Sequence, residues 1–242
     1  MTDSPTPPPS DARPFSAEPR QDRPHRGRAL VHLVRHGEVF NPTGVLYGRL
    51  PDFHLSEVGQ RMAERLGEHF ADVELTHLRS SPLERAQETM APIAARHPHL
   101  EVQLDERVLE STNLLQGRIL SAKQSALRDP RVWWLLRNPL RPSWGEAYKA
   151  VVARMRTAIV DAAVAADGGQ AVVVSHQLPI WMARCDAVGR PLVHDPRRRE
   201  CTLASVTTFT VVDGRTTRVD YAEPAKDLLP AKVRSRRFVA GA

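Results

Sequence analysis

A short apolar run that ends abruptly in charged residues is the feature that most constrains this fold. Residues Ala29 to Val34 are followed at once by Arg35-His36-Gly37. Such a run is typical of a buried strand that carries polar side chains to the edge of a sheet. A histidine attacks an electrophile only through an unprotonated ring nitrogen, and an adjacent arginine disfavours the imidazolium and attracts an anion. The segment therefore indicates chemistry on phosphate, although the tripeptide alone also fits an ordinary surface histidine.

A second apolar-leaning segment, Leu75 to Leu78, leads into another group of polar residues. Ser81 and Glu84 have the spacing of a capping box, and Pro82 suits the first helical position. This pattern predicts that Arg85 lies in a first helical turn. Free backbone N–H groups there favour an anion.

Two further segments complete the pattern. The β-branched run Ala171 to Val174 ends in Ser175-His176, and the alternating segment Val102 to Glu110 ends in a carboxylate. Two histidines, two arginines and one glutamate at predicted strand ends would suit phosphoryl transfer, in which fixed groups stabilise the charge on the equatorial oxygens.

The ordered motifs resemble the histidine phosphatase superfamily, in the branch related to cofactor-dependent phosphoglycerate mutase. The resemblance implies that His36 becomes phosphohistidine and that Glu110 is the general acid and base. It also implies that Arg35, Arg85 and His176 hold the phosphoryl oxygens. No cofactor is implied. The matching segments are Leu33 to Gly48, Ser80 to Thr89, Glu110, Gly145-Glu146 and Val172 to His176, and the further substrate-binding candidates are Asn41, Gly48, Arg49 and Gln177.

The chain departs from the family pattern at three places. Asn41 lies one residue nearer to the Arg-His-Gly segment than is usual, so a role in capping the turn before Pro42 stays open beside a role as a phosphate ligand. Gln177 stands where the family usually has glycine. The usual glycines around Glu110 are displaced, which leaves Glu106 as an alternative acid.

Hydrolysis of a phosphomonoester is the activity that the sequence favours. Mutases of the family carry Arg-His-Tyr-Gly after the acid and an asparagine soon after the second histidine, and this chain has neither. A mutase must also shield its phosphohistidine from water. A mutase-type phosphotransferase remains the alternative, and a catalytically idle phosphate-binding module is disfavoured because the key residues are all present. The substrate is left open, since segment 111–144 would shape the leaving-group pocket.

Length and composition indicate one main domain. The 242 residues, 41% of them hydrophobic, suffice for one sizeable core. We expect a disordered, Pro-rich arm over residues 1–27, a histidine phosphatase domain over 28–221 and a basic tail over 222–242. Within the domain, 118–144 is either a lid over the cleft or an apolar insert packed on the core.

Charge and cysteine content limit the partners. The formal net charge of +6 fits a phosphate-binding cleft and solvated termini, and no aromatic stacking platform accompanies the basic run, so no nucleic-acid partner is expected. No signal peptide or apolar span is visible, which predicts a cytoplasmic protein without a membrane partner. Cys185 and Cys201 are expected to be reduced thiols, and no metal site is expected. The expected partner is a phosphorylated small molecule; a homodimer stays open.

Periodicity predicts an α/β fold, a three-layer α/β/α sandwich with a mainly parallel central sheet, and the family resemblance implies that this fold is similar to phosphoglycerate mutase. Helices are expected after Ser56, over about 145–166 and from near Pro179 to Gly189. Two strands, 205–212 and 216–220, would be joined at Asp213-Gly214. Ligands of such sheets bind beyond the carboxyl ends of the strands, where the motifs would meet in one cleft.

Overall fold

The computed structural model describes residues 27–119 and 145–229, which form six strands and four α-helices. Residues 1–26 of the predicted arm, residues 230–242 of the predicted tail and most of the segment predicted as a lid or insert lie outside these residues. Residues 222–229, predicted as the start of the tail, instead continue the domain, and Ala225 and Leu229 are buried in its core. The strands are β1 (Arg28–Arg35), β2 (Leu75–Ser80), β3 (Val102–Leu104), β4 (Gln170–Ser175), β5 (Val206–Val212) and β6 (Arg215–Ala222). The helices are α1 (Glu57–Phe70), α2 (Glu84–Arg96), α3 (Tyr148–Ala165) and α4 (Gln177–Ala187).

The strands form one six-stranded sheet in the order β3-β2-β4-β1-β5-β6. The first four in this order are parallel, and the hairpin β5-β6 adds two strands, of which β5 runs antiparallel to β1. The predicted α/β class with a mainly parallel sheet is confirmed. The hairpin turn is also as predicted, because Asp213 and Gly214 have φ values of 48° and 73°, which two-residue hairpin loops favour.

The two faces of the sheet are covered by different helices. Alternate strand residues point to opposite faces, so Leu33 and Val173 join a core with α3 and α4, whereas Val34 and Val174 join a core with α1 and α2. All four of these side chains are buried. Strands that are apolar on both faces explain the continuous hydrophobic runs in the sequence.

The helix beginnings test the local predictions. Ser56 caps α1 as expected, because its Oγ accepts a hydrogen bond from the Gly59 N–H at 3.0 Å. The capping box at Ser81 was wrong: α2 begins at Glu84, after an extended Leu83 that provides no side-chain cap. Pro82 therefore lies before the helix rather than in its first position. Arg85 nevertheless occupies the first turn of α2, as predicted.

The other two helices begin within a few residues of the predicted positions. Helix α3 starts at Tyr148 rather than near Gly145, because Gly145 pairs with Asn113 in an isolated β-bridge. Helix α4 starts at Gln177, two residues before Pro179, which the first turn tolerates because its N–H groups have no partner within the helix. Within 27–119 and 145–229, no helix combines the length and apolar character needed to cross a membrane.

Candidate active site

The first residues after β1, β2 and β4 meet at one edge of the sheet. The His36 N–H donates to the Ser175 carbonyl at 3.1 Å, and the Ser81 N–H donates to the Val174 carbonyl at 2.9 Å. The rings of His36 and His176 lie 5.2 Å apart, centroid to centroid. Because adjacent parallel strands end at the same edge, the histidines that follow two separate apolar runs become neighbours.

His36 is buried and held in one orientation. Its Nδ1 is 2.8 Å from the Gly37 carbonyl, to which only a protonated Nδ1 can donate, so the neutral ring carries its lone pair on Nε2. Burial lowers the pKa of His36 well below 6.5, and the positive charges of Arg85 and Arg35 lower it further. The imidazole is therefore unprotonated at neutral pH, which nucleophilic attack requires.

Gly37 allows the loop after His36 to lie directly against helix α1. A Cβ at this position would stand 2.7 Å from the Gly59 carbonyl oxygen, closer than a carbon atom can approach backbone. The Gly37 N–H donates to Thr89 Oγ1 at 3.1 Å, which fixes the loop to α2 as well. The glycine of the Arg-His-Gly motif thus keeps the histidine fixed against two helices.

The two arginines present donor groups that have no partner among the described residues. Arg35 is 3% exposed and donates from Nη1 to the Cys201 carbonyl at 2.7 Å, while its Nε has no partner. Arg85 is fully buried and donates from Nη2 to the Gly48 carbonyl at 2.5 Å, while its Nε and Nη1 have none. Buried cationic donors without partners are costly and form a preorganised site for an anion.

Arg85 also stacks on an aromatic ring. Its guanidinium carbon lies 4.8 Å from the centre of the Tyr47 ring. Burial lowers the pKa of Arg85, and the charges of Tyr47 and Glu110 act in the opposite direction. The ring holds the guanidinium plane in place without neutralising its charge.

His176 is fully buried and contacts Ser81, with Nε2 2.8 Å from the Ser81 Oγ. Its Nδ1 has no partner within residues 27–119 and 145–229. Burial lowers the pKa of His176 well below 6.5, with further contributions from His36, Arg85 and Arg35. A capping role was predicted for Ser81, and the sequence analysis missed this contact, which joins residues 95 positions apart.

Glu110 lies beside the same group of charges. Its Oε1 accepts a hydrogen bond from the Ser111 N–H at 2.8 Å. Its charge raises the pKa values of Tyr47 and Arg85, although burial is the larger influence on each. The alternative acid, Glu106, is exposed at the start of a short 3₁₀ helix, Glu106–Val108. Of these two carboxylates, it is Glu110 whose charge acts on Arg85 and Tyr47.

A clamp missed by the sequence analysis holds the backbone just before Glu110. Arg154, on α3, donates from Nη1 to the carbonyls of Arg107 and Leu109 at 2.6 and 2.8 Å. Its Nε and Nη2 each donate to Glu146 at 2.9 Å. The Gly145-Glu146 match therefore has a structural explanation, because Glu146 fixes the arginine that orients the Glu110 segment.

Two of the rim candidates contact the protein rather than an open site. Asn41 donates from Nδ2 to the Val45 carbonyl at 2.8 Å, and its Oδ1 accepts from the Val45 N–H at 3.1 Å. This is the loop-capping arrangement that the sequence left open. Gly48 adopts a φ of 47°, and its carbonyl accepts the hydrogen bond from Arg85. Asn41 and Gly48 therefore help to fix the conformation of the loop that contains them, and Gly48 also contacts Arg85.

The other two rim candidates adjoin the acid and the second histidine. Arg49 donates from Nε to the Glu110 carbonyl, and its Nη2 lies 3.5 Å from Glu146 Oε2. Gln177, the first residue of α4, accepts from Arg199 Nη1 at 3.2 Å. Arg199 was not among the residues singled out from the sequence, where its run of arginines resembles a solvated surface segment.

Comparison with known proteins agrees with this geometry. A family model described as the histidine phosphatase superfamily (branch 1) matches residues 31–224. An uncharacterized protein of Mycobacterium tuberculosis, Rv0525, is 53% identical over 195 residues, which cover 81% of this chain and 96% of that protein. A probable phosphoglycerate mutase, GpmB of Erwinia tasmaniensis, is 29% identical over 183 residues, covering 73% and 83% of the two chains.

A solved structure extends the comparison to the fold. The mycobacterial glucosyl-3-phosphoglycerate phosphatase Rv2419c superposes with a TM-score of 0.63 at 23% identity, covering 80% of this chain and 97% of that one. At this identity the likeness concerns the fold, and it agrees with the phosphoglycerate mutase-like architecture predicted from the sequence.

Proposed function

Because the chain belongs to the histidine phosphatase superfamily, we propose that it hydrolyses a phosphomonoester through a phosphohistidine on His36. One observation carries this proposal: a buried imidazole with its lone pair on Nε2 lies among buried arginine donors that have no partner in the part of the chain that the structure describes. A neutral nucleophile next to unpaired cations suits an anionic electrophile, and a phosphoryl group is both anionic and electrophilic.

In the first step, His36 Nε2 attacks phosphorus and the bond from phosphorus to the ester oxygen breaks. Arg35 and Arg85 donate to the equatorial oxygens through the groups that have no protein partner, and His176 donates through a ring nitrogen. Charged hydrogen bonds of this kind contribute about 1.5 to 3 kcal/mol each. Glu110 in its acid form protonates the departing alkoxide.

In the second step, a water molecule attacks the phosphohistidine. The Glu110 carboxylate takes a proton from this water, the N–P bond breaks, and inorganic phosphate leaves with His36 restored. The Arg154 clamp and the Arg49 contact hold the Glu110 backbone, so the same carboxyl serves both steps from one position. The proposed substrate is a phosphorylated small molecule.

Phosphotransfer of the mutase type is the second candidate, favoured by the likeness to GpmB. Residues of this chain favour hydrolysis instead. The position after His176 holds Gln177, whose side chain is engaged with Arg199, and the Arg-His-Tyr-Gly segment of the mutases is missing from the sequence. The two activities differ in product: a hydrolase releases inorganic phosphate, whereas a mutase returns the phosphoryl group to a substrate hydroxyl.

Trapping of the covalent intermediate tests the proposal. The protein is incubated with a ³²P-labelled phosphomonoester and quenched in alkali, where phosphohistidine persists, and free phosphate is measured in parallel. We expect label on the wild type, none on His36→Ala, and normal labelling of the control His99→Ala, since His99 is exposed and distant in sequence. Normal labelling of His36→Ala would overturn the assignment, and label without free phosphate would favour the mutase.

A further inference from the structure

Arg199 is held in a fixed position beside the proposed phosphate site. It follows a short 3₁₀ helix, Pro196–Arg198, on the return of the chain from α4. Its Nε donates to His194 Nε2 at 2.8 Å, and its Nη1 donates to Gln177 Oε1 at 3.2 Å. His194 Nδ1 lies 2.6 Å from the Leu192 carbonyl, which fixes the tautomer whose Nε2 accepts.

A short chain of hydrogen bonds joins Arg199 to Arg35. Gln177 accepts from Arg199 through Oε1, and its Nε2 donates to the Cys201 carbonyl at 3.4 Å. The same carbonyl accepts from Arg35 Nη1 at 2.7 Å. The Gln177 amide and the Cys201 carbonyl thus set the spacing between the guanidinium groups of Arg199 and Arg35. Gln177 directly follows His176 in the sequence.

The positive charge of Arg199 is not neutralised by its partners. Both of them, the neutral imidazole of His194 and the amide of Gln177, are uncharged. In the segments 27–119 and 145–229, no carboxylate forms an ion pair with Arg199, and its Nη2 makes no hydrogen bond. Burial lowers the pKa of Arg199, whereas Glu110 and Tyr148 act to raise it and Arg35 lowers it further. Arg199 therefore lies within electrostatic range of both Glu110 and Arg35.

The neighbouring arginines behave differently. Arg197 and Arg198 are exposed, as surface charges usually are, whereas Arg199 is half-buried and packed next to His194. His194 is itself held between aromatic rings, 5.8 Å from Tyr148 and 5.7 Å from Trp181, centroid to centroid. A partly buried guanidinium with an open edge and no counterion is suited to bind a planar or tetrahedral anion.

We propose that Arg199 determines specificity by binding a second anionic group, a carboxylate or a second phosphate, on the alcohol portion of the substrate. The inference rests on the proposed function, in which Arg35 and Arg85 bind the phosphoryl group that reacts. Arg199 touches the part of the substrate that leaves. Such a contact would favour doubly anionic phosphomonoesters over neutral ones of the same shape.

Two matched substrate pairs test this assignment in the full-length protein. The pair 3-phosphoglycerate and glycerol 3-phosphate differs by a carboxylate, and the pair fructose 1,6-bisphosphate and fructose 6-phosphate differs by a phosphate. We expect Arg199→Gln to lower kcat/KM by about tenfold or more for the doubly anionic member of at least one pair, with little change for its partner. The pair that responds identifies the anion.

Arg198→Gln is the matched control, because it removes the same charge from the adjacent exposed position. It should leave both pairs unchanged. Equal losses on both members of each pair, or the same discrimination lost in Arg198→Gln, would overturn the proposal. If Arg199→Gln fails to fold, Arg199→Lys keeps the charge but not the fork, and a smaller loss in the same direction is expected.

A binding measurement separates this inference from the proposed function. The same four compounds are titrated calorimetrically into His36→Ala protein, with and without Arg199→Gln. If the wild type hydrolyses none of them, the proposed function fails for these compounds, and the calorimetric comparison still decides the role of Arg199. Unchanged relative affinities within both pairs would contradict it.

Discussion

Arg79 and Arg85 lie near one end of the sheet and are both buried, but among the described residues only Arg79 is paired with a carboxylate. Arg79, on β2, donates to Asp105 at 3.0 Å and to the Ala158 carbonyl at 3.4 Å. Arg85, six residues later, donates only to a carbonyl, forms no ion pair with a carboxylate of the described residues, and keeps two nitrogens without partners.

The network around Arg79 is balanced in charge. Asp105 also accepts hydrogen bonds from Arg107, which in turn contacts Asp161. Two arginines and two aspartates therefore link β2, the segment before Glu110 and α3. A buried ion pair of this kind contributes little net stability. Removal of one partner nevertheless lowers the free energy of unfolding, because it leaves the other partner as an uncompensated buried charge. Arg85 is a buried charge without a carboxylate partner among the described residues, and we attribute this arrangement to a role in binding an anionic ligand.

The largest expected effect comes from Glu110, whose charge acts on Arg85. If Glu110 balanced Arg85 as Asp105 balances Arg79, its loss would chiefly destabilise the fold. We expect instead that Glu110→Gln lowers kcat by about 10² to 10⁴-fold on alkyl phosphates and much less on an aryl phosphate, whose leaving group needs little protonation. Steady-state kinetics on both substrates measure this difference, with Glu106→Gln as the control. A differential loss in Glu106→Gln alone would move the acid to Glu106.

Asp105→Asn should show the reverse behaviour. The substitution leaves Arg79 without its carboxylate in a site where both side chains are 8% exposed, so the free energy of unfolding should fall by about 3 to 5 kcal/mol. Urea denaturation measures the change. Asp161→Asn is the control, because its carboxylate is 47% exposed and an exposed pair contributes about 1 kcal/mol or less. Equal losses in both variants would show that the network is not the stabilising element.

Exchanging each arginine for lysine sharpens the comparison further. Arg85→Lys keeps the charge but loses the fork, so kcat/KM should fall by about tenfold or more while stability changes little. Arg79→Lys should lower stability by about 1 kcal/mol and leave kcat/KM unchanged. Full activity of Arg85→Lys, with unchanged inhibition by vanadate, would remove Arg85 from the site.

The dependence of stability on pH also distinguishes the two regions. The pKa values of His36 and His176 lie well below 6.5 in the folded protein, so below pH 6.5 the unfolded chain binds protons that the folded chain does not. Stability should therefore fall as the pH drops, by up to about 1.4 kcal/mol per pH unit for each histidine. Burial would raise the pKa of Asp105, but Arg107 and Arg79 hold it below 3.8, so its contribution is lost only at lower pH.

Unfolding measured at several pH values between 7.5 and 5 tests this separation. In His176→Asn, the free energy of unfolding should depend less steeply on pH, because the difference in bound protons between the unfolded and folded states is smaller by about one. Asp105→Asn should leave the slope in this range unchanged. A slope in His176→Asn equal to that of the wild type would show that His176 is protonated in the folded state.

Local sequence determined the elements and the positions of the key histidines. The apolar runs before His36 and His176 predicted β1 and β4, the serine before α1 predicted its cap, and Asp213-Gly214 predicted the hairpin. These signals act within a few residues, through side-chain alternation, hydrogen bonds to nearby N–H groups and backbone conformation. The α/β class followed from the same patterns.

The tertiary structure decided which partner each polar side chain has. Ser81 suits a local cap but contacts His176, and Arg85 finds the Gly48 carbonyl 37 residues away. Arg154 clamps a backbone segment 47 residues earlier, and Arg199 donates to Gln177, 22 residues earlier. Periodicity carries no information on such contacts, because they depend on strand order and on which loops meet at one edge. Only the packed sheet separates an arginine paired with a carboxylate from one left open to an anion.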